Sequence, residues 1–233
     1  MSETEELAKA IQESAKLGEK SLDIAEKAGS FFAKVFKDPI NEISGMITDK
    51  LRFIRWKRMA QMSDDVNSIL RQKHITNTRA VLPKIALPIM EEATLEDDPT
   101  LQNLWNHLLA NAMNPTFNDE IRYGFIEMIK GITGIEAKLL NEFYEILKRE
   151  NRLFPLSKIF DYNLKKEQII TILKITIDVY AISVNNLMRL QLISPAILTG
   201  GVSMGTEPIT IYKGIDAITL TPLGVKFVEA CIK

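Results

Sequence analysis

The chain has 233 residues, 46% of them hydrophobic and 25% charged, which excludes global disorder and allows a buried core. Its formal net charge of -1 excludes a strong overall field for nucleic acid or anionic membranes, so only local patches could attract them. The single cysteine, Cys231, excludes an intramolecular disulfide. No signal peptide is visible, and no apolar run approaches the roughly 20 residues that span a bilayer. We therefore expect a cytoplasmic protein.

Residues 1–37 form the first predicted segment, in which apolar residues recur at helical spacing between lysines and glutamates. Alanine and glycine fill much of this stripe, so little apolar area is available to hold the segment to a core. We expect a mobile amphipathic helical arm, or one that becomes ordered against a partner. Its Phe31, Phe32 and Phe36 also raise the hypothesis that the arm binds a membrane surface.

Residues 38–150 form the predicted helical core, which opens with a long helix. Asp38-Pro39 is a typical helix start, and apolar residues keep helical spacing from Ile43 to Leu70. Such a long helix must pack along several others or against a second copy of the chain, so self-association is one expectation. Further on, Asp98-Pro99 predicts a helix start, and Thr133 with Glu136 predicts a capping box.

Residues 151–233 differ from the helical core in their sequence pattern and resemble a winged-helix module. A β-branched helix is predicted from Leu164 to about Ala181, followed by a second helix, NNLMRLQLI. Two short strands joined at Lys213-Gly214 predict a β-hairpin, and Pro222 opens a last helix. The predicted fold class is thus mainly α, with long N-terminal helices, a helical core and a winged-helix-like module.

The residues that usually perform catalysis are sparse in this sequence. Only two histidines, His74 and His107, accompany the one cysteine, which does not make a metal or hydrolytic set. The acidic residues between Glu91 and Asp98 are interpreted as helix-dipole partners and solvated turn residues. We therefore predict no catalytic residue, no metal, no cofactor and no small-molecule substrate.

Two groups of polar side chains are candidates for contact with anions or nucleic acid. The first is a basic stretch interleaved with aromatic residues on the long helix, for which the alternative is a solvated face. The second lies on the helix that a winged-helix module would place in the major groove of DNA. Because this helix carries only one cation, contact with a protein is as open an alternative as contact with DNA. The candidates are Lys50, Arg52, Arg55, Lys57 and Arg58 in the first group, and Asn185, Asn186 and Arg189 in the second.

A family resemblance covers Pro83 to Leu147. A proline-bounded helix ends in Glu91-Glu92-Ala93, an acidic turn follows, and the next helix centres on Trp105. A later helix carries Phe125-Ile126. This arrangement resembles the Abi-alpha family, abortive infection proteins of bacteria. The resemblance implies a role in defence against bacteriophage, in which an infected cell arrests or dies, and it implies no particular catalytic residues.

We therefore predict a non-enzymatic protein of antiphage abortive infection that acts by binding a protein partner, a second copy of itself or another macromolecule. Two alternatives stay open. One is a nucleic-acid-binding regulator that uses the winged-helix-like module and the basic stretch. The other is a membrane-surface effector that uses residues 1–36.

Overall fold

The computed structural model describes residues 50–196 and 215–233. The fold is mainly helical with a small antiparallel sheet of three strands, as the sequence predicts for the fold class. The described residues divide into two compact units, one of residues 50–130 with Ala230–Lys233 and the other Gly131–Glu229. The predicted arm, residues 1–37, lies outside the described residues, and so does the Lys213-Gly214 turn.

Within residues 50–130 the first unit contains four helices, of which α1 is the long helix that the sequence predicts. These are α1 (Lys50–Gln72), α2 (Pro83–Ala93), α3 (Pro99–Met113) and α4 (Tyr123–Lys130). Helix α3 packs against the other three and carries the centre of the core, because Leu104, Trp105 and Leu108 are all buried. The unit is therefore organised around the apolar face of α3.

Local signals explain where the helices of the first unit begin and end. The Asp98 carboxylate accepts hydrogen bonds from the backbone N–H groups of Thr100 and Leu101, which confirms the predicted start of α3. Helix α1 ends at His74, whose φ of 57° is left-handed. The N–H of His74 donates to Arg71 and that of Ile75 to Leu70, the pattern of a Schellman motif.

The second unit contains helices and the whole sheet. Its elements are α5 (Gly134–Arg149), a 3-10 helix (Leu156–Asp161), β1 (Leu164–Lys165), α6 (Lys166–Leu173), α7 (Ile177–Arg189), β2 (Ile193–Pro195), β3 (Ala217–Leu220) and α8 (Pro222–Cys231), whose last residues group with the first unit. Strand β3 is central and pairs antiparallel with both β1 and β2. Helix α5 packs against α6, α7 and β3.

The predicted capping box at the start of α5 is confirmed. The Thr133 side chain accepts from the backbone N–H of Glu136, and the Glu136 carboxylate accepts from the backbone N–H of Thr133. Helix α5, which the sequence analysis grouped with the helical core, lies in the second unit.

One predicted helix is wrong in its extent. The segment from Leu164 to Ala181 begins with strand β1 and continues as two helices, α6 and α7. Lys174 ends α6 with a left-handed φ of 54°, and the Thr176 hydroxyl accepts from the N–H of Val179 to cap α7. The left-handed residue and the threonine cap two positions later therefore divide the predicted helix in two, although its apolar residues recur at helical spacing throughout.

Candidate functional site

The basic stretch on α1 makes contacts inside the first unit. Arg55 Nε donates to Thr94 Oγ1 at 3.2 Å, and Arg58 Nη1 donates to the Thr94 carbonyl oxygen at 3.2 Å. Arg58 also pairs with Asp97. Lys57 is exposed, whereas the side chains of Lys50 and Arg52 lie outside the described residues. Arg55 and Arg58 are thus bonded to the turn between α2 and α3.

The acidic residues from Glu92 to Asp98 each have a structural contact. Glu92 pairs with Lys130 at 2.9 Å, and Glu96 Oε1 accepts from the backbone N–H groups of Asp97 and Asp98 at 2.9 Å. Gln102 closes the turn from α3, because its Nε2 donates to the carbonyl oxygens of Ala93 and Glu96. Glu96 and Asp97 are therefore turn residues and Asp98 caps α3, whereas Glu91 and Glu92 lie in the last turn of α2.

A polar groove of about 560 Å³ runs beside this turn, between α1 and α3. Arg58, Asp65 and Gln72 recur along one face of α1 at helical spacing. The α3 side presents amide side chains and His107. The residues that line the groove are Arg58, Gln61, Asp65, Ser68, Ile69, Gln72, Glu96, Asp97, Pro99, Gln102, Asn103, Asn106 and His107.

Asn106 and Asp65 join the two sides of the groove. Asn106 is only 3% exposed, so it lies at the floor, and its Nδ2 donates to Asp65 Oδ2 at 3.0 Å. Its Oδ1 is buried and accepts no hydrogen bond from residues 50–196 or 215–233. Burial raises the pKa of Asp65; the hydrogen bond from Asn106 lowers it, and the charge of Asp64 raises it again. The net result is a raised pKa for the groove carboxyl.

His107 lies on the α3 side of the groove and is kept neutral by its surroundings. Burial lowers its pKa, the hydrogen bond between Nδ1 and the Asn103 carbonyl raises it, and the charges of Lys73 and Lys233 lower it. Because the ordinary pKa is near 6.5, the lowered value leaves the imidazole uncharged at neutral pH. His107 therefore adds no positive charge to the groove.

Helix α7 presents the second group of predicted contact residues. Asn185 is exposed, but Asn186 Nδ2 donates to the Gly131 carbonyl oxygen at 2.7 Å and to Glu136 Oε2 at 2.9 Å. Arg189 donates to Asn186 Oδ1 through Nε and Nη2. Asn186 thus connects α7 to the start of α5.

The exposed face of α7 combines two large aliphatic side chains with the opposite charges of Asp178 and Arg189. Ile177 is 55% exposed and Ile182 is 70% exposed. Asp178 and Asn185 lie on the same side of the helix, between the two isoleucines, and the only cation described along α7 is Arg189. The interpretation of this helix from the sequence considered its amide side chains and its arginine, and it overlooked these isoleucines.

Sequence reasoning also missed the groove, for which a signal exists. Gln61, Asp65, Ser68 and Gln72 follow one another by three or four residues along α1, which places them in one polar row. Asn103, Asn106 and His107 form the matching row on α3. Two polar rows on helices whose apolar faces share a core indicate that the rows could face each other.

Metal-ligand clusters and membrane-spanning helices are both absent from the part of the chain that the structure describes. Among residues 50–196 and 215–233, no three histidine, cysteine, aspartate or glutamate side chains converge as a metal site would require. No helix within those residues is long and apolar enough to cross a membrane. Cys231 is buried, and burial raises the pKa of its thiol well above the ordinary value.

The architecture defines a class: a mainly helical chain of two compact units, one of which carries a small antiparallel sheet. The chain belongs to the abortive infection alpha family, whose family model matches residues 55–231. The match includes α3, the groove and the sheet-bearing unit, and so extends beyond the block in which the sequence shows the resemblance. Comparison with curated proteins gave no match, and neither did comparison with solved structures.

Proposed function

We propose that this protein acts in bacterial antiphage defence by abortive infection, through binding a protein partner rather than through catalysis. Membership of the abortive infection alpha family supports the process. The observation that carries the mode of action is the exposure of Ile177 and Ile182 on α7. The two isoleucines are five residues apart, so they project about 140° from each other, at the two edges of the exposed face, and cover of either by a protein partner removes apolar area from water.

The charge on α7 favours protein over nucleic acid as the partner. A helix that enters the major groove carries cations and amides toward base edges and phosphates. On α7, the Arg189 guanidinium donates to Asn186 Oδ1, and the amide nitrogen of Asn186 donates within the second unit. Asp178 would repel phosphate. The exposed face of α7 therefore provides apolar area for a partner but little positive charge to neutralise phosphates.

The arrangement of the sheet-bearing unit supports the proposal that it is a winged-helix-like module used for protein contact. A short strand precedes α6 and α7, two further strands follow, and the last strand in sequence lies between the other two. In this arrangement α7 occupies the position of the helix that such modules present to a partner. We place this binding event in the cytoplasm, since defence against an injected phage genome acts there.

The process is tested by expressing the full chain in a bacterial host and challenging the cells with a broad phage panel. We expect fewer plaques than with the empty vector for at least one phage, together with lower survival of infected cells, because abortive infection removes the infected cell. Unchanged plaque numbers and unchanged survival across the panel would contradict the proposal.

The mode is tested by recovering tagged protein from phage-infected cells with and without nuclease treatment. A partner bound through α7 stays associated after nuclease treatment and is lost when Ile182 is replaced by lysine. Recovery that depends on intact nucleic acid would instead support the regulator alternative.

The membrane alternative rests on residues 1–36, which lie outside the described residues. It is tested by liposome flotation of the full chain and of a chain that lacks these residues. Equal flotation of the two chains would count against it.

A further inference from the structure

Four exposed side chains form a single row along α7. Asp178, Ile182, Asn185 and Arg189 follow one another by four, three and four residues, and all four are exposed. Helical geometry therefore places them within about 60° of one another around the helix axis. This spacing is typical of a helix face that packs lengthwise against a second helix. These four residues are called the α7 row below.

The charges of the α7 row are symmetric about its middle. Asp178 and Arg189 are equally far from the middle of the row, and so are Ile182 and Asn185. In an antiparallel pair of α7 helices, a two-fold axis at the middle places Asp178 of each copy opposite Arg189 of the other. Two ion pairs of opposite charge then form at the two ends of the contact. The row is thus complementary in charge to a second copy of itself.

The same pairing covers the most exposed part of the row. The two copies of Ile182 lie on one side of the contact, about 4.5 Å apart along the helix axis. Ile182 is 70% exposed in the single chain, so contact with its counterpart removes apolar area from water. The two Asn185 amides meet beside them, and amides can donate to and accept from each other. Apolar and polar side chains therefore each meet their own kind.

The Arg189 guanidinium is held at the end of the row. Its Nε and Nη2 both donate to Asn186 Oδ1, and Asn186 is itself bonded to the Gly131 carbonyl oxygen and to Glu136. A guanidinium has more N–H groups than these two bonds use, so it can also pair with a carboxylate. Because its position is set within one chain, less side-chain freedom is lost when the copy binds.

The length of α7 limits the strength of such a contact. The helix has 13 residues. A helix of this length is about 20 Å long, and one pair of them buries less than the roughly 1,200 Å² of total area typical of stable interfaces. We therefore expect a reversible dimer with a dissociation constant in the micromolar range rather than a permanent one.

We infer that α7 is the interface of a two-fold symmetric dimer, in which the α7 row of one copy packs antiparallel against the α7 row of a second copy. The inference rests on the proposed function and deepens it, because it names a second copy of this chain as the protein that α7 binds. A different partner protein would require no such symmetry of charge in the row.

The test is sedimentation velocity of the full chain at concentrations from about 1 to about 200 μM, a range that brackets micromolar dissociation constants. The parent chain is expected to exchange reversibly between monomer and dimer. Asp178→Arg and Arg189→Asp should each weaken the dimer at least about tenfold, because each places like charges opposite each other twice. An equimolar mixture of the two variants restores both ion pairs, and so does the double variant, so each should dimerise within about threefold of the parent chain.

The double variant separates the interface from a purely structural role of these charges. Both changes are unfavourable for the dipole of α7, so a structural role alone predicts that the double variant is impaired most. Circular dichroism checks folding, and if the double variant does not fold, the mixture of single variants is the rescue. Asp161→Arg is the matched control, because it reverses an exposed acid of the same unit away from α7 and should change the affinity less than about twofold.

Three results would overturn the inference: a parent chain that stays monomeric up to about 200 μM, a dimer that Asp178→Arg weakens no more than Asp161→Arg does, or a failure of both rescues. The proposed function fails separately. A monomeric chain that still loses its partner from infected cells on Ile182→Lys overturns the dimer but leaves binding of another protein through α7 standing. A dimer in a chain that gives no protection against phage contradicts the defence role alone.

Discussion

The carbonyl oxygen of Leu192 approaches Gly224 so closely that a Cβ at this glycine would lie 2.1 Å from it. Thr221 fixes the approach, because its backbone N–H donates to the Leu192 carbonyl at 3.1 Å. Its hydroxyl donates to the Gln191 carbonyl at 2.7 Å and accepts from the Gly224 N–H at 2.9 Å. Leu192 precedes β2, and Thr221 precedes α8. The glycine in the LTPLG sequence therefore permits close packing of α8 beside the chain that enters β2.

Gly224→Ala tests this packing. The added methyl group meets backbone rather than a flexible side chain, so we expect a loss of about 1–3 kcal/mol in the free energy of unfolding. The measurement is urea denaturation followed by circular dichroism. Gly124→Ala is the matched control, because a Cβ on this helical glycine meets nothing within 4 Å, and its stability should be unchanged or rise by less than about 1 kcal/mol. Equal effects at the two glycines would contradict the packing argument.

Asn186→Ala distinguishes a structural amide from a binding one. It removes the two hydrogen bonds that Nδ2 donates, to Gly131 and to the buried carboxylate of Glu136, and the acceptor of Arg189, so we expect a loss of about 1–3 kcal/mol in unfolding free energy. The exposed neighbour provides the comparison, since Asn185→Ala should change stability by no more than about 0.5 kcal/mol. A stable Asn186→Ala variant would show that these hydrogen bonds contribute little.

Asp65→Asn is expected to raise stability slightly at neutral pH. Because the pKa of Asp65 is raised in the folded chain, the folded state binds the proton more tightly than the unfolded state. The charged carboxylate therefore costs stability at neutral pH, and this cost disappears as the pH falls through the folded pKa. We expect a gain below about 1 kcal/mol at pH 7 that shrinks on acidification. A variant that is less stable than the parent chain at pH 7 would contradict this sign.

The helix boundaries that the sequence predicted correctly depend on neighbouring residues. Asp98 before Pro99 and Thr133 before Glu136 satisfy backbone N–H groups within three residues, so a short window contains the whole signal. Lys174 breaks a run of apolar residues by adopting a left-handed conformation that favours glycine, and no glycine marks the position. That boundary was therefore hidden from sequence reasoning.

The contacts at the candidate sites depend on residues far apart in the chain. Arg58 and Asp97 are separated by 39 residues, and each alone is typical of a solvated charge. Asp65 and Asn106 likewise face each other only because α1 packs on α3. Helical spacing places each polar row on one face, but it does not say which rows meet. The groove could be recognised only once the helices were placed.

The central claim is that the protein limits phage infection by binding a partner through the exposed face of α7. The most direct measurement is plaque formation on cells that express Ile182→Lys, compared with cells that express the parent chain or Ile135→Lys. Ile135 is an exposed isoleucine of α5 in the same unit, so its variant controls for the added charge. With equal protein levels and unfolding temperatures, we predict that Ile182→Lys loses protection and that Ile135→Lys keeps it. Full protection by Ile182→Lys would contradict the account.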